Sequence, residues 1–404
     1  MRRIELTGYR ACEDALKQPD LKQALYDEGA IVMDRVLVTL HGDEHRTRRL
    51  AEMSVFRRDF FRHYEREVIP GIFQEVMQAT DRSGDVDLVD LHYRFMVYLA
   101  VNFAGIDRAT KTREEFDDLV RLLRLFGVAA TLGQNKGDRE AARVEVRAGL
   151  KEFDERFFAP SAERRRALLA RLAKGEIGAD DLPSDVLTVL LKNEQELDMV
   201  RDMMLRETAF YFLASAHTSV HSLSHAMHHL LDWFDTHPQD RAKFEAEPQQ
   251  VQRFVHESFR LHPSSPIALR RALADVTLLT GEVANAGDTV VVSLRQANRD
   301  PEIFGADAES FNPHREVPAG VPETGVTFGI GMHACLGKNL AAGTLPPAGQ
   351  VMPEDRRQLG TVAWIAHGLL CEGITRDPAR PGQLDQTIER ETWQSYPVQF
   401  AKGE

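Results

Sequence analysis

The chain has 404 residues, 43% hydrophobic and 28% charged, with a net charge of -12, enough to bury a large core. That charge excludes the basic stripe of a typical nucleic-acid binder, and no apolar run of about 18 residues is present to span a membrane. The opening MRRIELTGYRACEDALKQPD lacks the apolar stretch of a secretion signal, and Cys12, Cys335 and Cys371 stand too far apart for a CxxC motif. A reduced, cytoplasmic, monomeric protein is expected.

Helical periodicity dominates the chain. Apolar residues at three- and four-residue spacing predict helices over 63–80, 114–130, 141–158 and 163–173. From about Leu197 to Phe234 there is no proline or glycine, which predicts one extended helix ending at His237-Pro238. It carries His217, His221, His225 and His229 at every fourth position. Another helix, VQRFVHESFRLHP, stops before Pro263. The segment 272–300 then turns to short β-branched runs broken by Gly281 and Gly287, which read as strands and turns. Pro301 to Pro322 reads as a long ordered loop or a linker. The expectation is a single mostly helical domain, 1–404, with a small β-rich region in its C-terminal half.

The strongest local signal is FGIGMHACLGKNLA, Phe328 to Ala341. Glycines on both sides of Cys335 let the backbone turn tightly and approach a neighbour closely. A helix starting just after the cysteine would aim amide N–H groups at the sulfur and favour thiolate. On those grounds alone Cys335 could be a ligand, a nucleophile or a turn residue. The pattern at Phe328, Gly329, Gly331, His333, Cys335, Gly337, Leu340 and Ala341 resembles the cysteine-ligand loop of the cytochrome P450 family at every fixed position. Glu257 and Arg260 match the ExxR pair of that family, Phe311-Asn-Pro-His-Arg315 the segment whose arginine completes its network, and Asn298-Arg-Asp-Pro301 the stretch before it. His45 and Arg49, in HGDEHRTRRL, match the helix that reaches haem propionates.

The resemblance implies the cytochrome P450 fold, a large helical domain around haem b with a small β-rich region. Cys335 would be the axial thiolate on the iron. Cationic partners for the propionates would come from His45, Arg49, Arg270 and His333, with the choice between Arg270 and Arg271 left open by sequence. Phe328 and Gly329 would sit beside the sulfur, and Glu257, Arg260 and Arg315 would form a structural ion-pair network. The long helix would pass over the haem with Ala214-Ser-Ala-His217-Thr218, so that His217 stands where most members have Asp or Glu. Sterol demethylases resemble the chain in having His before Thr. A histidine can still shuttle protons at neutral pH, so Thr218 and His217 are the expected catalytic pair. Phe212, Leu213 and Ala214 are expected to line the pocket, with the 26–40 loop and the 120–135 helix above it.

The histidine ladder has the i,i+4 spacing of a zinc-protease helix but lacks its glutamate, and each step drifts by roughly 40°. It is read as helix residues, not as a metal site. Two departures from the family stand out: little room for a helix and strand pair before His45, and an atypical insertion at about 343–358, after which residues 357–373 resume a helix. The expected activity is a monooxygenase acting with dioxygen on a hydrophobic small organic substrate. A separate ferredoxin and ferredoxin reductase would supply electrons, attracted by Arg46, Arg57, Arg58, Arg62 and Lys338. The alternatives are a peroxide-using or isomerase-type haem-thiolate enzyme and a non-catalytic haem-binding sensor.

Overall fold

Residues 201 to 236 run as one uninterrupted helix of 36 residues, about 54 Å long at 1.5 Å per residue. The computed structural model describes residues 1–345, 353 and 357–401. In chain order the helices that build the site are α1 (Tyr9–Lys17), α2 (Gly42–Glu52), α3 (Leu88–Ala104), α4 (Arg113–Ala130), α5 (Arg201–Thr236), α6 (Pro248–Leu261), α7 (Lys338–Ala342) and α8 (Thr361–Cys371). Further helical runs cover 58–79 and 139–173. The predicted helices and the long central one are all present, and α5 extends from Arg201 to Thr236. Among the described residues no helix is long and apolar enough to cross a membrane.

The periodicity gave no sign of α3, LVDLHYRFMVYLAVNFA, although it packs against α5 more extensively than any other element does. Its apolar residues surround the helix instead of forming a stripe, the mark of a helix buried on nearly all sides. Asp87 caps its start by accepting from the Val89 and Asp90 amides, and Gly105 closes it at φ 88°. The larger of two apolar cores forms around α3, α4, α5 and α8.

A four-stranded sheet covers the second core. Its strands β1 (Arg3–Leu6), β2 (Leu21–Gln23), β3 (Ile267–Ala272) and β4 (Thr289–Ser293) lie in the order β1-β4-β3-β2. The segment before His45 therefore holds a strand, a helix and a second strand, more structure than sequence suggested. In β3 the two-residue alternation of a strand buries Ala268, Arg270 and Ala272 and turns Arg271 outward. Arg271 meets Asp27 at 3.0 Å instead. The sheet register thus decides between the two arginines.

Glu257 and Arg260 lie one turn apart on α6 and are joined by two bonds of 2.7 Å. The Arg260 guanidinium, fully buried, also donates to the carbonyls of Asn298 and Ala308. Arg315 reaches Glu257 at 3.3 Å, and the Asn298 side chain returns a bond to the Arg260 carbonyl at 2.9 Å. Every charge is paired, which a buried network requires, and it pins the loop leading to Cys335 onto α6. Pro301–Phe304, expected as loop, is a single helical turn capped by Asp300. Most of the insertion at 343–358 lies outside the described residues. The resumed helix is α8, with Val362, Ala363, Ala366 and Leu370 buried.

Candidate active site

Between α5 and the Cys335 loop lies a mostly apolar cavity of about 300 Å³. Phe328, Gly329, His333, Cys335 and Gly337 form one wall, and Ala214, Ser215 and Thr218 belong to the facing wall. Leu25, Tyr26, Leu37, Val38, Ser264 and Ile267 extend the lining away from the cysteine loop. The 26–40 segment contributes as expected, but the 120–135 region does not. Phe212 and Leu213 are also absent from the lining, because both are buried behind α5, with Phe212 stacked on Phe153 at 5.7 Å. Phe210 and Tyr211 take their place.

The cysteine loop closes through the Cys335 amide, which donates to the Phe328 carbonyl at 2.8 Å. Gly329 turns there at φ 65°, a conformation that side chains other than glycine rarely adopt. Burial pushes the Cys335 thiol up, while the Gly337 and Lys338 amides and the charges of Arg49 and Lys338 pull toward thiolate. The helix after it, α7, has only five residues, so individual amides favour the thiolate, not a long dipole. Phe328 stands edge-on to Phe259 at 5.1 Å, which fixes it beside the sulfur.

At the edge of the cavity stand His45, Arg49, Arg270 and His333. The His45 and His333 rings are 4.6 Å apart, and the Nε2 atom of each is buried without a hydrogen-bond partner. Burial first, then the Arg49 charge, pushes His45 down to about 4. Arg49 donates to the Ala334 carbonyl at 2.6 Å and so ties α2 to the cysteine loop. Arg270 is 4% exposed and, among the described residues, bonds only Gln23 and the Leu269 carbonyl. Burial lowers it to about 10. Buried cations without an acid and orphaned imidazole nitrogens at one edge call for anionic acceptors. Together with a sulfur open to the cavity and a glycine wall, these residues fit a haem with two propionates.

Thr218 opens onto the cavity and bonds the Ala214 carbonyl at 3.3 Å. His217 does not join it. Its ring turns to the opposite side of α5, 3.2 Å from the Tyr93 hydroxyl and 3.3 Å from His221, against Gly127 of α4. A Cβ at Gly127 would lie 2.6 Å from the ring. Burial, then the charges of Arg390 and Arg124, lowers His217 to about 3. The other rungs are equally engaged. His225 stacks on His262 at 4.1 Å, and His229 stacks on Phe311 at 4.2 Å. Sequence reasoning missed Tyr211 and Glu52, whose hydrogen bond links the cavity wall to α2. Their positions, two turns before Thr218 on α5 and one turn after Arg49 on α2, were the available signal.

A family model described as Cytochrome P450 matches residues 161–345. The mycinamicin VIII C21 methyl hydroxylase of Micromonospora griseorubida is 35% identical over 153 residues, 38% of this chain and 35% of that protein. The cytochrome P450 monooxygenase PikC of Streptomyces venezuelae is 28% identical over 53% of this chain and 49% of its own length. The alignments thus span less than half of these curated relatives. Among solved structures, CalO2 is similar at a TM-score of 0.73 with 19% identity, covering 99% of this chain and 91% of that one. CYP109E1 of Bacillus megaterium, solved with corticosterone, has a TM-score of 0.71 at 17% identity, covering 98% and 92%. With the haem-fitting cavity and the ExxR network in place, the chain has the cytochrome P450 fold, and its residues 161–345 match the model of that family.

Proposed function

We propose that this chain is a haem-thiolate monooxygenase that hydroxylates or otherwise oxidises a hydrophobic small organic molecule. The observation that carries this reading is the facing pair of Cys335 and Thr218 across one largely apolar cavity. Bound haem b would supply reductive activation of dioxygen, helped by electron donation from a thiolate ligand. Cys335 would hold the iron, with Phe328 shielding its sulfur from water. His45, Arg49, Arg270 and His333 would hold the propionates, and the Ala214 methyl would leave room for the macrocycle. Thr218 would present its hydroxyl as a hydrogen-bond donor and proton carrier on the far wall. The apolar residues Leu25, Leu37, Val38 and Ile267 would orient the substrate and exclude water. The names of the relatives, a hydroxylase and a monooxygenase, support the same class of reaction.

Electrons would come from a separate ferredoxin and its reductase. Arg46 and Leu50 border a depression shared with Met332 of the cysteine loop, and Leu50 is 66% exposed. With Lys338 they offer an acidic protein a mixed basic and apolar face on the cysteine side. The decisive test is the carbon-monoxide difference spectrum of the reduced protein. A red-shifted thiolate-type Soret band is expected, and its absence would end the haem-thiolate reading.

A second reading, a peroxide-using haem-thiolate enzyme, draws on the position of His217. Thr218 has neither an acid nor an imidazole beside it in the cavity, and peroxide would deliver its own protons. Turnover with peroxide but not with a ferredoxin system would favour it.

A further inference from the structure

Behind the cavity wall at Tyr211 lies a group of ionisable side chains that the proposed chemistry does not use. Glu52, at the end of α2, and Glu207, one turn before Tyr211 on α5, are both fully buried at 0% exposure. Glu207 is well engaged: the Leu37 amide donates to it at 3.0 and 3.1 Å, and Arg48 at 2.9 Å. Glu52 receives one bond, from the Tyr211 hydroxyl at 2.5 Å to Oε2. Among the described residues its buried Oε1 has no partner and no cation hydrogen-bonds the carboxyl. Arg49, its nearest free cation in sequence, is turned to the Ala334 carbonyl.

Two carboxyls and one bonded guanidinium cannot both be ionised cheaply in a dry wall. An unpaired carboxylate there would carry the full desolvation cost, and Glu207 beside it adds like-charge repulsion. A proton on Oε1 removes both penalties and leaves Oε2 free to accept from Tyr211. We propose that Glu52 is held as a neutral carboxylic acid and supplies protons to the cavity through the Tyr211 hydroxyl. Burial first, then the charge of Glu207, pushes Glu52 well above the usual carboxylate range, which agrees with the geometry.

For the transfer the Glu52 carboxyl turns so that its O–H faces the Tyr211 oxygen, and that O–H bond breaks as the Tyr211 oxygen gains the proton. Tyr211 releases its own hydroxyl proton to an acceptor in the cavity. The carboxylate left behind lies near Arg48 and Arg49 and regains a proton by the reverse path, from a donor in the cavity through Tyr211, and no electron moves. From Tyr211 the cavity face of α5 continues with the hydroxyls of Ser215, Thr218 and Ser222. Thr218 lies about 10 Å along the axis from Tyr211, so water within the cavity would bridge the gap. This role rests on the monooxygenase reading, in which Thr218 needs a proton source that His217 does not offer from its position behind the helix. Glu52 acts through Tyr211 and is therefore a proton-holding, positioning residue.

Two measurements test this on the haem-loaded protein. Infrared spectra at neutral pH should show the carbonyl band of a buried neutral carboxyl in the wild type and lose it in Glu52→Gln. Absence of that band from the wild type overturns the proposal whatever the reaction proves to be. In turnover with a ferredoxin system, Glu52→Gln and Tyr211→Phe should each lower product formed per oxygen consumed by about ten-fold, with the thiolate-type spectrum retained. Glu52→Asp should recover part of the loss. Glutamine keeps the size and the acceptor for Tyr211, so a merely structural tether predicts normal coupling in Glu52→Gln, and that result sinks the idea. If Glu52→Gln does not fold, Tyr211→Phe decides alone: normal coupling overturns the proposal. Failure of the wild type itself to form product would instead refute the monooxygenase reading and leave the infrared result standing.

Discussion

The two faces of α5 carry similar numbers of polar side chains to opposite ends. Toward the cavity stand Tyr211, Ser215, Thr218 and Ser222, whose hydroxyls are small, neutral at any ordinary pH and able to donate and accept. On the other side His217 bonds Tyr93 and His221, and farther along the axis His225 and His229 stack on His262 and Phe311. The first face is solvated by the cavity and can change partners during a reaction. The second is closed, and each imidazole there has its ring fixed by a neighbour. A four-residue repeat drifts around the helix by roughly 40° a step, so it marks neither a shared side over three steps nor which side is open.

Breaking the closed face should have the largest effect on stability. His217→Ala removes a partner from both the Tyr93 hydroxyl and His221 and opens a cavity against Gly127. It should cost about 2–4 kcal/mol, read as a lowered Tm, with product formed per oxygen consumed unchanged. Thr218→Val on the open face should do the reverse: stability within about 1 kcal/mol of wild type and clearly lower coupling. Uncoupling in a folded His217→Ala protein would return the histidine to the mechanism and dissolve the distinction between the faces. Gly127→Ala should cost about 1–3 kcal/mol by overpacking, since its methyl would meet the His217 ring, and Gly133→Ala, with only Glu28 within 4 Å, serves as its control.

The Cys335 loop and the ExxR pair were legible because their residue types are dictated locally, by tight turns and by one helical turn between two charges. The long helix followed from periodicity, and of the four-stranded sheet only β4 lay in the segment 272–300 that read as strands; β1 and β2 fall before His45, where little structure was expected. The direction of His217 was not legible, because it depends on how α3 and α4 pack, and α3 hides its own periodicity by being apolar all round. Arg270 was undecided until the pairing of Gln23 with Arg270 set the strand register. Glu52 escaped notice because its partner Tyr211 is 159 positions away, and a lone glutamate near a helix end ordinarily reads as solvated.

Titration separates the regions further. Along the histidine-rich stretch burial lowers His217 and His225 to about 3, His228 to about 4 and His229 to about 2, from an ordinary 6.5. Below about pH 6.5 the unfolded chain binds protons that the folded one refuses. Stability is therefore complete above that pH and falls on acidification, by about 1.4 kcal/mol per pH unit at most for the buried His225 and by less for the half-buried His217, His228 and His229. Glu52 has the opposite sign. Its folded value is raised above the ordinary 4.5, so its contribution is present below that value and is lost as pH rises. Denaturant midpoints measured across pH should show Glu52→Gln gaining on the wild type toward alkaline pH. A constant difference would mean that Glu52 is ionised in the folded protein.

The smallest expected effect concerns the end of the open face. Ser264, in the turn after α6, donates to the Thr218 carbonyl at 3.0 Å and shares a bond with the Ser222 hydroxyl at 2.8 Å. Arg390 donates to the Ser264 carbonyl, a contact that no side-chain substitution there removes. Ser264→Ala therefore loses two bonds that border the cavity, where water can substitute, and should cost about 1 kcal/mol or less. Its coupling should stay within about two-fold of wild type, because the Thr218 hydroxyl is untouched and only its carbonyl loses a partner. If Ser264→Ala instead uncouples as strongly as Thr218→Val, then Thr218 does not act alone. The three hydroxyls of Thr218, Ser222 and Ser264 would then form the proton-handling unit, and the open face would extend beyond the helix that carries it.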